Sequence, residues 1–418
     1  FRKAVQEGDD EDSADGMYWA GEVHFLGAGV KKDCAKAMEW YRKAADLDHV
    51  LAAHDLAYCY AEGLAGKVDY VAAFKWYCKA AEGGNESAMT WAGNYHYRGL
   101  GGLKKDFTKA LEWYRKAAKA GNASAMYNIA DMYEEGQGVP KDMVKALEWY
   151  RKAAAKGESA SMFNLGCMYE RGTGIAKDDT KALAWFRKSA EAGYASAMYE
   201  LAERYENGLG VTKDLVKALD WYRKSSEAGD SEATMAVGYF YYTGQGVKKE
   251  FGQARTWYQK AAEEGDVTGM FNLAHMYQDG EGGEKDLSLA SKWFRKAAEC
   301  GNASAMAWVG NYHYRGLGGL KKDFAKAAKW YRKAAEEGDV TAMYNLAGLH
   351  EDGEGLPKNL SKALTWYRKS AEGNYIPAIN SMGYFYRKGA GSVKQDYAAA
   401  MKFYAKGAKL GSYISMFS

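Results

Sequence analysis

The sequence predicts an all-α chain: an α/α solenoid of antiparallel helix pairs with a period of 36–37 residues. Three observations predict it. The string WYRKAA recurs verbatim at 40–45, 113–118, 149–154 and 330–335, with near-copies between them. The aromatic that opens it falls at Trp40, Trp76, Trp113, Trp149, Trp185, Trp221, Trp257, Trp293, Trp330 and Trp366 and then at Phe403, each step being 36 or 37 residues. The copies follow glycine turns that approximate GxGVxKD, and before each comes a stretch with apolar residues three and four apart. A fixed period of this length is the signature of a solenoid, in which each unit buries its faces against its neighbours. The 418 residues therefore need not divide into several globular cores.

The fourth repeat shows the design. Asn122 is the expected cap of a first helix, A, over 123–135, and Gly121 suits a left-handed close of the helix before it. Met126, Ile129, Ala130 and Tyr133 recur three and four apart, which sets them on one face. Gly136-Gln-Gly138 turns the chain, Val139 is the expected buried plug, and Pro140 stiffens the turn. Asp142 then caps a second helix, B, over 143–156, whose packing surface is Ala146, Trp149, Tyr150, Ala153 and Ala154. The Ala130 phase holds only alanine or glycine, with glycine at Gly21, Gly93, Gly166, Gly238, Gly310 and Gly383. Glycine inside a helix costs up to about 1 kcal/mol relative to alanine. Its recurrence signals a steric demand, attributed here to the close crossing of neighbouring helices.

Eleven such pairs tile residues 14–409 as one solenoid. Residues 1–13 read as the end of a truncated repeat and an acidic linker, since FRKAVQEGDD resembles WYRKAAEEGD. Residues 410–418 read as the start of a truncated repeat or a cap. The chain opens without methionine, so a fragment or processed form is expected. Two turns depart from the pattern: Ala65 replaces the second glycine, and Gly283 replaces the valine plug, which predicts an underpacked turn. Two nearly identical stretches, starting at Trp91 and Trp308, share the long turn RGLGGLKKD. They lie six periods apart and point to internal duplication, with reuse of one ligand-contact unit as the alternative.

Charge is nearly balanced, with 57 Lys+Arg against 54 Asp+Glu and a net of +3. The basic residues are scattered and usually have acids nearby, so no nucleic-acid surface is implied. No apolar run approaches the about 20 residues that span a bilayer, so direct membrane insertion is not expected. The reading is of a soluble chain; secreted, periplasmic, organelle-lumenal and cytoplasmic settings are all compatible with it. Cys34, Cys59, Cys78, Cys167 and Cys300 fall at different phases without a CxxC, so structural disulfides are not expected.

The sequence shows no catalytic, cofactor or metal constellation. His24, His96, His313 and His350 occupy a phase otherwise filled by tyrosine, which predicts a partly buried, aromatic-like, hydrogen-bonding role. Equivalent residues of stacked repeats should stand about 10 Å or more apart, too far to share a metal. The GxG turns lack the strand before them and the GK[ST] ending of a phosphate loop. Acidic pairs such as Glu134-Glu135 and Glu263-Glu264 read as solvent-facing. Asn85, Asn122, Asn302 and Asn359 match the glycan acceptor pattern, but helix capping is the simpler role.

The stretches SAMYNIADMYEEGQGVPKDMVKALEWYRKAAAKG and TAMYNLAGLHEDGEGLPKNLSKALTWYRKSAEG resemble the Sel1-like repeat family, a relative of the tetratricopeptide repeat. The resemblance spans essentially all of 14–409. It implies a right-handed superhelix of antiparallel helix pairs, with the A helices lining its inner surface. It also implies use in protein–protein interaction and complex assembly, as a scaffold or adaptor and not as an enzyme. A cysteine-rich branch of the family carries a disulfide in each repeat and has been linked to penicillin binding or weak β-lactamase activity. This sequence departs from it, with Ala118, Ala154 and Ser226 at the corresponding cysteine position.

Two phases just off the core stripe of the A helices mark a candidate partner-binding surface. The Tyr127 phase includes Tyr127, Phe163, Tyr199, Phe271 and Tyr344; the Asn128 phase includes Trp19, Trp91, Asn128, Asn164, Asn272, Trp308 and Asn345. Aromatics give contact area at small entropic cost, and asparagine can pair with a peptide backbone. The expected partner is an extended segment or exposed helix of another protein. The structural alternative is that Tyr127-type residues pack between A helices and the tryptophans cover repeat seams. Competing functions are a self-associating structural solenoid, a carbohydrate-binding module, or a hydrolase with an aromatic-lined groove.

Overall fold

The computed structural model describes residues 13–411. The expected truncated-repeat segment and acidic linker within residues 1–12, and the expected terminal repeat start within 412–418, lie outside the described residues. Twenty-two helices follow in order. They are α1 Ala14–Leu26, α2 Cys34–Asp46, α3 Val50–Glu62, α4 Tyr70–Glu82, α5 Glu86–Arg98, α6 Phe107–Ala120, α7 Ala123–Glu135 and α8 Met143–Ala155. Next come α9 Ser159–Arg171, α10 Asp179–Glu191, α11 Ala195–Asn207, α12 Leu215–Glu227, α13 Ser231–Thr243, α14 Phe251–Glu263 and α15 Val267–Asp279. The last are α16 Leu287–Glu299, α17 Ala303–Arg315, α18 Phe324–Glu336, α19 Val340–Asp352, α20 Leu360–Glu372, α21 Ile376–Lys388 and α22 Tyr397–Lys409. Odd numbers are A helices and even numbers B helices. No strand occurs among the described residues, and the chain is an all-α repeat solenoid of paired antiparallel helices.

Two compact units divide it, one of residues up to 204 with 209–211, the other of 205–208 with 212 onward. In the first, α1 to α10 pack in sequence, each A helix on its own B helix and each B helix on the next A helix. In the second, α12 to α22 do the same.

Each element is ended by local chemistry. Helix α7 starts at Asn122, whose Oδ1 accepts the N–H of Ala125 at 2.9 Å. It ends at Gly136 in the left-handed region, φ 73°. The N–H of Asp142 donates to the Tyr133 carbonyl at 2.9 Å and closes the turn. The Asp142 carboxylate then accepts from Val144 and Lys145 and starts α8. Asn85, Asn122, Asn302 and Asn359 all serve as such caps. Glu250 and Tyr375 are exceptions, with the cap backbone conformation but no side-chain hydrogen bond to α14 and α21.

The second turn glycine has two reasons to be glycine. Gly138 has φ 69°, and a Cβ there would fall 2.7 Å from Cβ of Phe107, the first residue of the preceding repeat's B helix. The turn is thus a repeat-to-repeat contact as well as a reversal.

The small position of the A helix is explained by an aromatic ring. A Cβ at Gly21, Gly93, Gly166, Gly238, Gly310 or Gly383 would fall 2.5–2.6 Å from ring carbons of Tyr41, Tyr114, Phe186, Tyr258, Tyr331 or Tyr404. These rings belong to the B helix of the same repeat and are buried. The steric demand therefore comes from a ring on the neighbouring B helix of the same repeat.

Two tyrosine placements occur beside this position. In three glycine repeats the hydroxyl donates one residue beyond the glycine: Tyr41 to Glu22, Tyr114 to Asn94 at 2.7 Å, Tyr331 to Asn311 at 2.8 Å. In three alanine repeats it donates four residues beyond: Tyr150 to Glu134 at 2.7 Å, Tyr222 to Glu206 at 2.8 Å, Tyr367 to Glu351 at 2.7 Å. In the fourth repeat a carboxylate is also available one residue on, at Asp131, and the hydroxyl still takes Glu134. Glu134, expected to face solvent, is half-buried by this contact. The turn at Gly283 is not underpacked either. The Arg255 guanidinium lies where a side chain would stand, stacked 3.8 Å from the centre of the Tyr277 ring.

Candidate functional site

The B helices present a uniform surface. Trp149 is half-buried, with the Lys152 ammonium 4.2 Å from its ring centre. The same pairing recurs at Trp40, Trp113, Trp185, Trp221 and Trp293 at 4.1–4.6 Å. The arginine of WYRK reaches forward: Arg151 donates to the Tyr169 hydroxyl at 3.0 Å, in the next A helix. These contacts join repeats and vary little along the chain.

The A helices differ from one another. Trp19 and Trp91 are 48% and 39% exposed, and Trp308 is half-buried. Trp91 stacks on Tyr77 at 5.7 Å, and Trp308 on Phe294 at 5.4 Å, each ring belonging to the preceding repeat's B helix. Trp308 also meets His275 edge-on at 5.1 Å. One face of Trp91 thus covers a repeat seam while much of the side chain stays in solvent, whereas Trp308 is held on two sides.

The Tyr127-type residues are half-buried and pack back onto B-helix rings. Tyr127 lies 5.8 Å from Tyr150, Phe163 5.5 Å from Phe186, Phe271 5.7 Å from Phe294, and Tyr344 5.4 Å from Tyr367. Tyr199 is half-buried on α11. The asparagines link repeats. Asn128 donates to Asn94 at 3.4 Å and Asn345 to Asn311 at 3.3 Å, on the same oxygens that accept Tyr114 and Tyr331. Asn164 lies beside the Tyr127 and Tyr150 hydroxyls and partly offsets the rise in their pKa. Burial pushes the Tyr127 hydroxyl up to about 12, so it stays a protonated donor. Asn272 lines a cleft with Tyr239, Tyr258 and His275.

The sequence reading missed residues one helical turn further along the same faces. Tyr58, Tyr239 and Tyr384 are 41–43% exposed at the Asp131 phase. The available signal was an aromatic at a phase held elsewhere by Glu22, Asn94 and Asn311.

The histidines are packed more tightly than expected. His96, His313 and His350 are buried, and Nδ1 of His24, His313 and His350 has no hydrogen-bond partner. Burial lowers the His313 and His350 pKa. Among the described residues no group of three or more His, Cys, Asp and Glu could hold a metal ion. No helix among them is long and apolar enough to cross a membrane. Burial pushes the Cys59 thiol up to about 12 and those of Cys78 and Cys167 up to about 11, which leaves them weak nucleophiles.

A model of the Sel1 repeat matches the chain in eleven consecutive stretches covering residues 14–412. The chain therefore belongs to the Sel1 repeat family of solenoids, whose repeats serve as protein–protein interaction scaffolds and are typically non-catalytic. Among solved structures it is similar to c5321, a protective antigen of uropathogenic Escherichia coli strains that displays an SLR fold. The identity is 34% over 99% of this chain and 88% of that one, with a TM-score of 0.69. It is also similar to a Sel1 repeat protein from Oxalobacter formigenes, 36% identical over 59% of this chain and 99% of that one, with a TM-score of 0.52. A comparison with curated proteins gives no significant match.

Proposed function

We propose that this chain is an adaptor that holds a polypeptide segment of a partner protein against the variable faces of its A helices. The single observation that carries this reading is the contrast between the two helix types. The B helices repeat one set of contacts along their length and expose aromatics only at the first residues Tyr70 and Tyr397 among the described residues, whereas the A helices expose different large aromatics within their length in different repeats: Trp19, Tyr58, Trp91, Tyr239 and Tyr384. Rigid aromatics exposed beside half-buried asparagines are the composition of a binding surface. In the superhelix that the family implies, these faces line the concave side.

Partners are recovered from native extract on the immobilised chain and mapped by crosslinking. The Trp91→Ala, Trp308→Ala double variant should weaken capture at least tenfold while helicity by circular dichroism is kept. Each substitution also removes a ring stack worth about 0.5–1.5 kcal/mol. Loss of folding with no selective loss of capture would sink the reading. Capture of the chain's own copies alone, with a concentration-dependent sedimentation coefficient, would replace it by self-association.

A further inference from the structure

A cleft of about 400 Å³ opens between α1 and α3. Its floor is Tyr41, 1% exposed, and its walls are Tyr18, Phe25 and Tyr58. Two carboxylates enter it, Glu22 from α1 and Asp55 from α3. Each is already oriented by a phenol: Tyr41 donates to Glu22, and Tyr18 to Asp55 at 3.2 Å. The His54 Nδ1 lies 2.8 Å from Asp55. Among the described residues no lysine or arginine forms an ion pair with either carboxylate. Two acids in a partly dry, aromatic-lined space thus lack a strong counter-charge. The field shows on the rings: burial first, and then Asp55 and Glu22, raise the Tyr18 pKa well above that of a free phenol.

We infer that this cleft receives the cationic side chain of an arginine or lysine from the partner polypeptide, stacked between Tyr18 and Tyr58 and neutralised by Glu22 and Asp55. The proposal rests on the polypeptide-binding reading above and adds the chemistry of one residue of the partner. Aromatic faces attract cations through the ring quadrupole, and carboxylates add hydrogen-bonded charge pairing. An apolar side chain would leave both carboxylates without a counter-charge in the low-dielectric cleft, which disfavours it.

Six repeats further on, the second unit has a cleft of about 320 Å³ at the same place in the repeat, over Tyr258 and beside Tyr239 and Tyr242. There Asn272 stands at the phase of Asp55, and Tyr239 at that of Glu22. It has Met235 and His275 at the phases of Tyr18 and Tyr58, loses both of those charges and carries Glu281 on its lining instead, so its preference for cations should be weaker.

The test titrates the whole chain with N-acetyl-Gly-Arg-Gly-amide and with its citrulline counterpart, which keeps the shape and removes the charge. Saturation-transfer NMR gives both affinities. The arginine peptide should bind at least fivefold more tightly, and 0.5 M salt should shrink the difference. Glu22→Gln with Asp55→Asn should bring arginine to the citrulline level, and Tyr58→Ala should weaken arginine at least threefold. Glu134→Gln, which alters a tyrosine-bonded carboxylate elsewhere, should change neither. Equal affinities for the two peptides would overturn the inference, as would an arginine preference that survives in a folded double variant. If the double variant loses helicity, Asp55→Asn and Tyr58→Ala decide alone, since Tyr58 is an exposed wall. Partner capture with no arginine preference sinks the cleft and leaves the adaptor reading. An arginine preference with no partner capture does the reverse.

Discussion

Gly93→Ala isolates the link between the small position and the tyrosine. The added Cβ would lie 2.5 and 2.6 Å from ring carbons of Tyr114, which is 2% exposed and has no room to retreat without tilting. Overpacking of this kind costs about 1–3 kcal/mol. Alanine returns up to about 1 kcal/mol through its helix propensity. Tilting also breaks the 2.7 Å bond from Tyr114 to Asn94, worth about 0.5–1.5 kcal/mol net. The carboxylate that receives the tyrosine in alanine repeats is missing, because the residue four beyond Gly93 is Tyr97. The net expectation is a loss of about 1–3 kcal/mol by these terms. A double-mutant cycle separates them. Tyr114→Phe should cost about 1 kcal/mol in the parent and close to nothing beside Gly93→Ala, since the bond is then already gone. Long repeat arrays need not unfold in one step, so the readout is amide hydrogen exchange across α5 and α6, which reports local opening. Additive costs, or slower exchange in Gly93→Ala, would refute the account.

Three further outcomes follow from the caps, the buried histidines and the turn at Gly283. Glu250→Asp should supply the cap that α14 lacks and raise stability by about 1 kcal/mol, seen as slower exchange at its first amides; unchanged exchange would show that the longer carboxylate already caps it in solution. His313 and His350 should make the second unit acid-sensitive. Burial, then Arg295 and Lys326, lower His313; burial, then Lys362 and Arg332, lower His350, while Asp323 and a hydrogen bond to the Pro357 backbone oppose. Between these lowered values and the unfolded value of 6.5 the unfolded chain binds more protons. Stability is therefore complete above pH 6.5 and is lost as the pH falls toward the folded values. Thermal unfolding of His313→Tyr, His350→Tyr should show a shallower slope, the remainder coming from His275, whose pKa burial also lowers, and a slope equal to the parent's would count against the assignment. Arg255→Ala should loosen the turn at Gly283, with faster exchange confined to the start of α16; no change there would mean that the guanidinium is not what fills it.

The repetition made most of the scaffold legible. Helix A of the fourth repeat has the expected bounds, and helix B ends at Ala155, one residue short. Caps and turn glycines were readable because a few residue types satisfy orphan amides or adopt positive φ. Which partner fills a small position was not readable. Period and phase show that Ala130 or Gly93 must be small, but not that the neighbour is a ring 20 or 21 residues away in the same repeat. Arg255 in the Gly283 turn is hidden for a similar reason, because a long side chain repairs a missing one from another helix. The exposed tryptophans were visible as exceptions at their phase. Tyr58, Tyr239 and Tyr384 were not singled out, since tyrosine is common in this chain and its exposure is set by packing in three dimensions.

The buried tyrosines make the scaffold a participant in recognition. After Gly21, Gly93 and Gly310 the tyrosine binds Glu22, Asn94 or Asn311 and fixes the Asp131 phase of the A-helix face. After Ala130, Ala202 and Ala347 the hydroxyl takes the carboxylate one turn further on. Where tyrosine itself fills the Asp131 phase, after Ala57, Gly238 and Gly383, its ring stands exposed as Tyr58, Tyr239 and Tyr384. The first two repeats place the two states side by side. Tyr41 orients Glu22, while Tyr58 stands 41% exposed at the same phase of the next helix. The inferred cation cleft is built from that pairing, one carboxylate held in place and one aromatic left open. Gly21→Ala, whose methyl group would press on the Tyr41 ring and disturb its bond to Glu22, should accordingly weaken arginine binding without replacing any residue that lines the cleft.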